Sequence, residues 1–239
     1  MRTFLKDKKN KTIIITACII AVIAIVAVIF IVVANKKEKP NIFDEKEIVK
    51  IECLGDSITY SSNGITYDQC KITYPGKLGE KLLNLFNNDS KTYKVKQIDV
   101  DNLGIPGDFV MPDRYLRLSG NADIVIMLYG INNVFQNQPY KGVIESNIEE
   151  IKKSGAKLYL LLYPLCPDGR YYDQAKKIND YILKVAKETK TELFDANEEL
   201  SKLKNEKEYF EKDGIHFTPE GYELFAEIIA KRIYNDYKK

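Results

Sequence analysis

Residues 48–60 read IVKIECLGDSITY, and the break at Gly55-Asp56-Ser57 decides how the chain folds. The apolar run IVKIECL, residues 48–54, stops at a turn-forming triplet, which is how a buried strand reads where it turns towards a helix. Two roles are then open to Ser57. Serine is among the preferred helix N-cap residues, because its hydroxyl satisfies an orphan backbone N–H. It is also a nucleophile once a base activates it. The stretch alone does not choose; the choice turns on whether the remaining chain supplies a base, an orienting carboxylate and donors for an oxyanion.

Outward from this break, strand-like and helix-like runs alternate. Val49–Leu54 reads as the first strand. Tyr74–Asn87, with Pro75 near its start, reads as a helix, and YKVKQIDVDNLG, residues 93–104, contains the second strand. ADIVIMLYG, residues 122–130, is continuously apolar, the mark of a strand covered on both faces. A helix over 140–154, the strand AKLYLLLYP (156–164), a helix over 171–190, the short strand TELFDA (191–196) and a final helix over Pro219–Tyr237 complete the series. Regular alternation predicts an α/β protein, a three-layer α/β/α sandwich around a mostly parallel five-stranded sheet. Such folds carry their chemistry at the carboxyl ends of the strands, here the loops after Leu54, Leu103, Tyr129 and Phe194.

Each of these loops holds something reactive: GDS after the first strand, NLGIPGD after the second, YGINN after the third and KDGIHFTPEGY after the last. His216 is the single histidine of the chain, so an imidazole base has to be this one. Its ordinary pKa of roughly 6.5 lets it take a proton at neutral pH and return it. Asp213, three residues earlier, is spaced to reach one ring nitrogen and fix the tautomer while the other faces Ser57. Taken singly, each residue has a plainer reading, Asp213 as a cap before a helix, Gly107 and Asn132 as turn residues. The G-x-S-x-G elbow of another serine hydrolase architecture is absent, since Thr59 stands two residues after Ser57.

Together these blocks resemble the SGNH hydrolase superfamily, also called GDSL esterases and lipases, in its lysophospholipase-like branch. GDSIT is similar to the family's first block, NLGIPGD to the second, GINN to the third and DGIH to the fifth, over about Val49 to Ile233. The resemblance implies a flavodoxin-like SGNH fold and a Ser57–His216–Asp213 triad. It also implies an oxyanion hole from the Ser57 and Gly107 backbone N–H groups and the Asn132 side-chain amide. The implied activity is serine ester hydrolysis through an acyl-enzyme, removing acetyl or other short acyl groups from carbohydrate or lipid esters, with no metal or cofactor. An O-acyltransferase of cell-envelope glycans using the same triad, and a catalytically silent binding module, are the alternatives. Two positions depart from the pattern: Asn133 stands where the third block usually has Asp, and Ser61 where many relatives have Gly.

The rest of the chain speaks to location. IIITACIIAVIAIVAVIFIVVA, Ile13–Ala34, contains no charge, and about 20 such residues span a bilayer. Its length exceeds the roughly 7–15 apolar residues of a cleaved signal peptide, which favours a retained anchor. Basic residues preceding it place residues 1–12 in the cytoplasm. Residues 35–47 read as a charged linker and residues 48–239 as an extracytoplasmic hydrolase domain. Residues 1–40 hold eight Lys/Arg against two Asp/Glu, a net of +6; against +2 for the whole chain this leaves −4 for the remainder. A mildly acidic domain lacks the basic footprint that nucleic acid requires. Of the four cysteines, Cys70 and Cys166 are the one pair left open for a disulfide in an oxidising exterior, and no CxxC or His/Cys cluster suggests zinc. Oligomeric state is not legible.

Overall fold

The computed structural model describes Val22, residues 24–26 and residues 41–238. The four described residues within the expected span Ile13–Ala34 are helical, and the remainder of that segment and residues 1–12 lie outside the described residues. Among the described residues no helix is long and apolar enough to cross a membrane. The chain divides into two compact units, 1–40 and 41–239, and the second carries the chemistry.

In chain order this unit holds α1 (Ile42–Glu45), β1 (Ile48–Gly55), α2 (Ser57–Tyr60), α3 (Tyr74–Asn87), β2 (Gln97–Gly104), β3 (Ile124–Leu128), α4 (Ile131–Phe135) and α5 (Val143–Lys153). There follow β4 (Lys157–Leu161), α6 (Tyr172–Thr189), β5 (Glu192–Phe194), α7 (Asn197–Leu200) and α8 (Pro219–Tyr237), with 3₁₀ turns at Arg114–Arg117 and Glu206–Tyr209. The sheet has five strands in the order β2-β1-β3-β4-β5, every pair parallel. β3 is buried at all five positions, as a central strand covered on both faces must be. The edge strand β2 is mostly half-buried, with Ile98 buried and Gln97 and Asp101 exposed. α3 and α8 pack together over one face, while α4 and α5 meet α6 on the other.

Punctuation in the sequence sets two of the expected helices. Thr73 and Thr218 each accept the N–H of the third helical residue, Gly76 and Gly221, and each is followed within two residues by a proline, Pro75 and Pro219. The observed bounds of α3 and α8 coincide with those expected from the sequence. The second strand begins four residues later than its apolar run suggests, and α4, α7 and both 3₁₀ turns are too short to show a period.

The charged segment before β1 departs from expectation. The sequence predicts a linker as far as Glu47, but the folded unit begins at Asn41. Phe43 is fully buried, stacks on Phe86 at 4.2 Å and meets Tyr237 edge-on at 4.9 Å. Its carbonyl accepts the N–H groups of Lys94 and Val95, and the Asn41 side chain donates to the Tyr237 carbonyl at 2.7 Å. One aromatic side chain carries no periodicity, so its burial is a tertiary effect invisible to pattern.

β1, β2 and β3 end level, with Gly55 opposite both Gly104 and Leu128. α2 turns directly over these ends. A Cβ on Gly104 would lie 2.0 Å from the Tyr60 nitrogen and 2.6 Å from the Thr59 carbonyl carbon, both rigid backbone. Only glycine lets the short helix bearing Ser57 sit this close to the sheet. Gly104→Ala should therefore destabilise the protein by more than about 3 kcal/mol in urea denaturation, a value reached by few single substitutions. A change below about 1 kcal/mol would mean that α2 can lift off the sheet.

Candidate active site

The helix that follows β1 is capped by Asp56, whose Oδ1 accepts the Ile58 N–H at 3.1 Å. Ser57 is the first helical residue, so its hydroxyl is released from capping. The Ser57 Oγ lies 2.8 Å from His216 Nε2, and His216 Nδ1 lies 2.6 Å from Asp213 Oδ2. The three sequence-selected residues are thus joined in one hydrogen-bonded line across 159 positions of chain.

The loop before α8 builds the His–Asp half. Asp213 Oδ1 accepts the backbone N–H groups of Ile215 and His216, both at 3.0 Å, leaving Oδ2 for the ring. The loop is closed by the Glu211 N–H donating to the His216 carbonyl at 2.8 Å and by a bridge between Phe210 and Phe217. Burial pushes the Asp213 carboxyl up, but the hydrogen bond from His216, the Ile215 N–H and the ring's charge outweigh it and hold it below the ordinary carboxylate range. An ionised Asp213 takes the Nδ1–H, which turns the lone pair of Nε2 towards Ser57.

Gly107 lies in the turn after β2 with φ +73°, and the turn is closed by the Asp108 N–H on the Ile105 carbonyl. Asn132 is the second residue of α4, and its Nδ2 donates to the Asp108 carbonyl at 2.9 Å. The structure therefore brings the Gly107–Asp108 turn and Asn132 together. An amide nitrogen donates twice, so Asn132 keeps a second N–H for another acceptor.

Several residues of the site escaped the sequence reading. Asp108 is held from four directions: Oδ1 by Arg114 Nη2 at 2.6 Å and the Phe109 N–H at 3.0 Å, Oδ2 by the Tyr129 hydroxyl at 2.7 Å and Arg117 Nη1 at 3.5 Å. Arg117 also donates to the Tyr129 hydroxyl at 3.1 Å. Asp56 Oδ2 accepts the Tyr163 hydroxyl at 2.5 Å, and that hydroxyl accepts the Ile131 N–H at 3.2 Å, tying α2 to the start of α4. Asn133, read as a missing carboxylate, is a buried clamp: it accepts the Val110 N–H and donates to the Val110 and Pro139 carbonyls. Ser61 adopts φ +66°, the conformation that glycine favours, and its hydroxyl accepts the Tyr74 N–H. Cys70 and Cys166 are free thiols, as is Cys53, so the disulfide left open by the sequence does not form. Among the described residues no group of three or more His, Cys, Asp or Glu is placed to hold a metal ion.

Fold and site together set a serine, a histidine and an aspartate in one hydrogen-bonded line at the carboxyl edge of a parallel sheet. Residues 53–224 match the GDSL-like lipase/acylhydrolase family, and the chain belongs to it. It is a carboxylic ester hydrolase. Solved structures with the same fold include the lipase/acylhydrolase from Enterococcus faecalis, with TM-score 0.62 and 21% identity over 80% of this chain and 97% of that one. The acetyl xylan esterase AlAXEase has TM-score 0.56 and 20% identity over 77% and 100% of the two chains. Est24, a carbohydrate acetylesterase from Sinorhizobium meliloti, has TM-score 0.58 and 16% identity over 79% and 100%. At these identities the likeness speaks for the fold. No curated protein matches the sequence.

Burial pushes the Asp56 carboxyl up to about 6, against the lowering pull of its Tyr163 and Ile58 hydrogen bonds. Its ordinary value is about 3.9, so between about pH 4 and 6 the folded state holds a proton that the unfolded chain has lost. Its contribution is complete below about pH 4 and is lost as pH rises through 6. Asp213 acts oppositely: its contribution is present above the ordinary carboxylate value and is lost as pH falls through its lowered one. Asp56→Asn loses the charge that burial disfavours. Whatever constant offset its altered hydrogen bonds impose, its stability relative to the parent should improve by roughly 2–3 kcal/mol between pH 4 and 7. Urea midpoints at the two pH values measure this, and a pH-independent difference would count against it.

Proposed function

We propose that the chain removes short acyl groups, acetyl foremost, from carbohydrate esters at the outer face of a membrane, through Ser57, His216 and Asp213. The observation that carries this reading is the unbroken line from Asp213 Oδ2 to His216 at 2.6 Å and from His216 to Ser57 Oγ at 2.8 Å. Ser57 Oγ attacks the ester carbonyl as His216 Nε2 takes its proton. Asp213 holds the ring and stabilises the imidazolium. The oxyanion receives the N–H groups of Ser57 and Gly107 and the second N–H of Asn132. Collapse expels the alcohol, which takes the proton from His216, and water enters by the reverse path to free the acid.

Preference for acetylated carbohydrate is supported by the fold shared with an acetyl xylan esterase and a carbohydrate acetylesterase. Placement outside the membrane rests on the uncharged Ile13–Ala34 segment and the basic residues around it.

Steady-state hydrolysis of p-nitrophenyl acetate, butyrate and octanoate by the full chain tests the chemistry. Acetate should be turned over best. Ser57→Ala and His216→Ala should each lower kcat by about 10⁴ or more, and Asn132→Ala by about 10²–10³. Equal background rates in parent and variants would overturn the assignment. For the anchor, extraction of membranes with alkaline carbonate should leave the chain in the pellet, whereas release into the supernatant would count against a spanning segment.

A further inference from the structure

The connection between α2 and α3 is a tightly bonded hairpin that faces the His–Asp pair. Ser62 and Gln69 pair across it, and the Asn63 N–H meets the Asp68 carbonyl at 2.9 Å. Inside the turn Asn63 Oδ1 accepts the N–H groups of Ile65 and Thr66 at 3.0 and 2.9 Å. The Thr66 hydroxyl accepts from Asn63 Nδ2 at 2.7 Å and donates to Asp68 Oδ2 at 2.6 Å. The buried Tyr222 hydroxyl anchors the base by donating to the Ser62 carbonyl at 2.9 Å. So many local bonds make this a preformed wall and not a loose lid.

Two of its residues reach the catalytic pair. Gly64 has φ +68°, and a Cβ there would lie 2.4 Å from Asp213 Oδ2 and 2.8 Å from His216 Nδ1, so bare backbone covers that hydrogen bond. Tyr67 has φ +61°, its ring centre lies 6.4 Å from that of His216 at an interplanar angle of 84°, and it remains 61% exposed. A bulky residue in the left-handed region is uncommon and costs free energy, and an exposed ring recovers little of that by burial. Its position gives folding nothing evident and gives the site an aromatic face.

Chemistry says which half of a substrate meets that face. The carbonyl oxygen belongs at the Gly107–Asn132 side, while the leaving alcohol must take its proton from His216 Nε2. The alcohol therefore emerges beside the imidazole, where Tyr67 stands. We propose that Tyr67 is the platform for the alcohol half of the substrate, a pyranose ring whose C–H face lies on the phenol while its hydroxyls remain in water. The inference rests on the esterase reading above. An open ring on a turn built from polar Asn63, Thr66 and Asp68 suits a polyhydroxylated alcohol, whereas a fatty chain would need enclosure.

The test uses the full chain and two acetyl esters that differ only in the alcohol, an acetylated methyl xyloside and ethyl acetate. Tyr67→Gly removes the ring and fits the positive φ, so it folds; fluorophosphonate labelling of Ser57 checks that the site is intact. The ratio of kcat/KM for the sugar ester to that for ethyl acetate should fall about tenfold in Tyr67→Gly, mainly through KM, and stay within about twofold in Tyr67→Phe. An unchanged ratio would overturn the platform, whether both substrates are lost equally, which marks Tyr67 as a mere support for His216, or neither is affected. Absence of Ser57-dependent turnover of either ester by the parent would instead overturn the esterase reading and this inference with it.

Discussion

The hydrogen bond from the Ile58 N–H to the Asp56 carboxylate is the contact on which the site depends. A helix beginning at the end of β1 needs an acceptor for its orphan N–H groups, and both Asp56 and Ser57 are residue types that could supply it. Because Asp56 takes the duty, the Ser57 hydroxyl is left to His216. Close approach of α2 to the strand ends then follows from Gly55 and Gly104, whose missing side chains leave room for Thr59 and Tyr60. Ser57 is thus set at the carboxyl edge of the sheet by the backbone of two strands and one cap, with no contribution from a flexible loop.

Two carboxylates near this serine are driven in opposite directions by their surroundings. Asp56 is fully buried and has one hydroxyl and one N–H as partners, too few to offset the loss of water. Asp213 is only partly buried and gathers two backbone N–H groups and the imidazole. The same acid is therefore suited to a structural task in one place and to holding an ionised charge against a ring in the other. Roles follow from the donors each residue meets and not from proximity to the nucleophile.

What was legible in the sequence divides along the same line. β1 announces itself by a largely apolar run and β3 by a continuous one, and α3 and α8 by a proline near their start, since these signals are local. Ser57, Asp213 and His216 could be selected because each follows a strand end, the one place this topology puts chemistry, and Gly107 and Asn132 because their blocks resemble the family's. Asp108 could not. It lies in a selected loop, but its meaning comes from Arg114, Arg117 and Tyr129, which converge only when a 3₁₀ turn folds back over the end of β3. The buried Phe43 was hidden for the same reason, since a single apolar residue among charges has no period to betray it.

Asn133 shows why a departure from a family's pattern need not weaken the site. Its side chain is buried, accepting from the Val110 N–H and donating to two carbonyls, those of Val110 and Pro139. An ionised aspartate there could accept the same N–H but could donate to neither carbonyl, and each buried polar group left unpaired costs about 1–3 kcal/mol. The carboxylate's electrostatic place in this region is already filled by Asp108, two residues from Val110 in the same turn and neutralised by two arginines. With charge supplied by Asp108 and clamping by Asn133, the turn that carries Gly107 is held from both ends. Asn132, between the clamp and the start of α4, then donates one N–H to the Asp108 carbonyl and keeps its second for another acceptor.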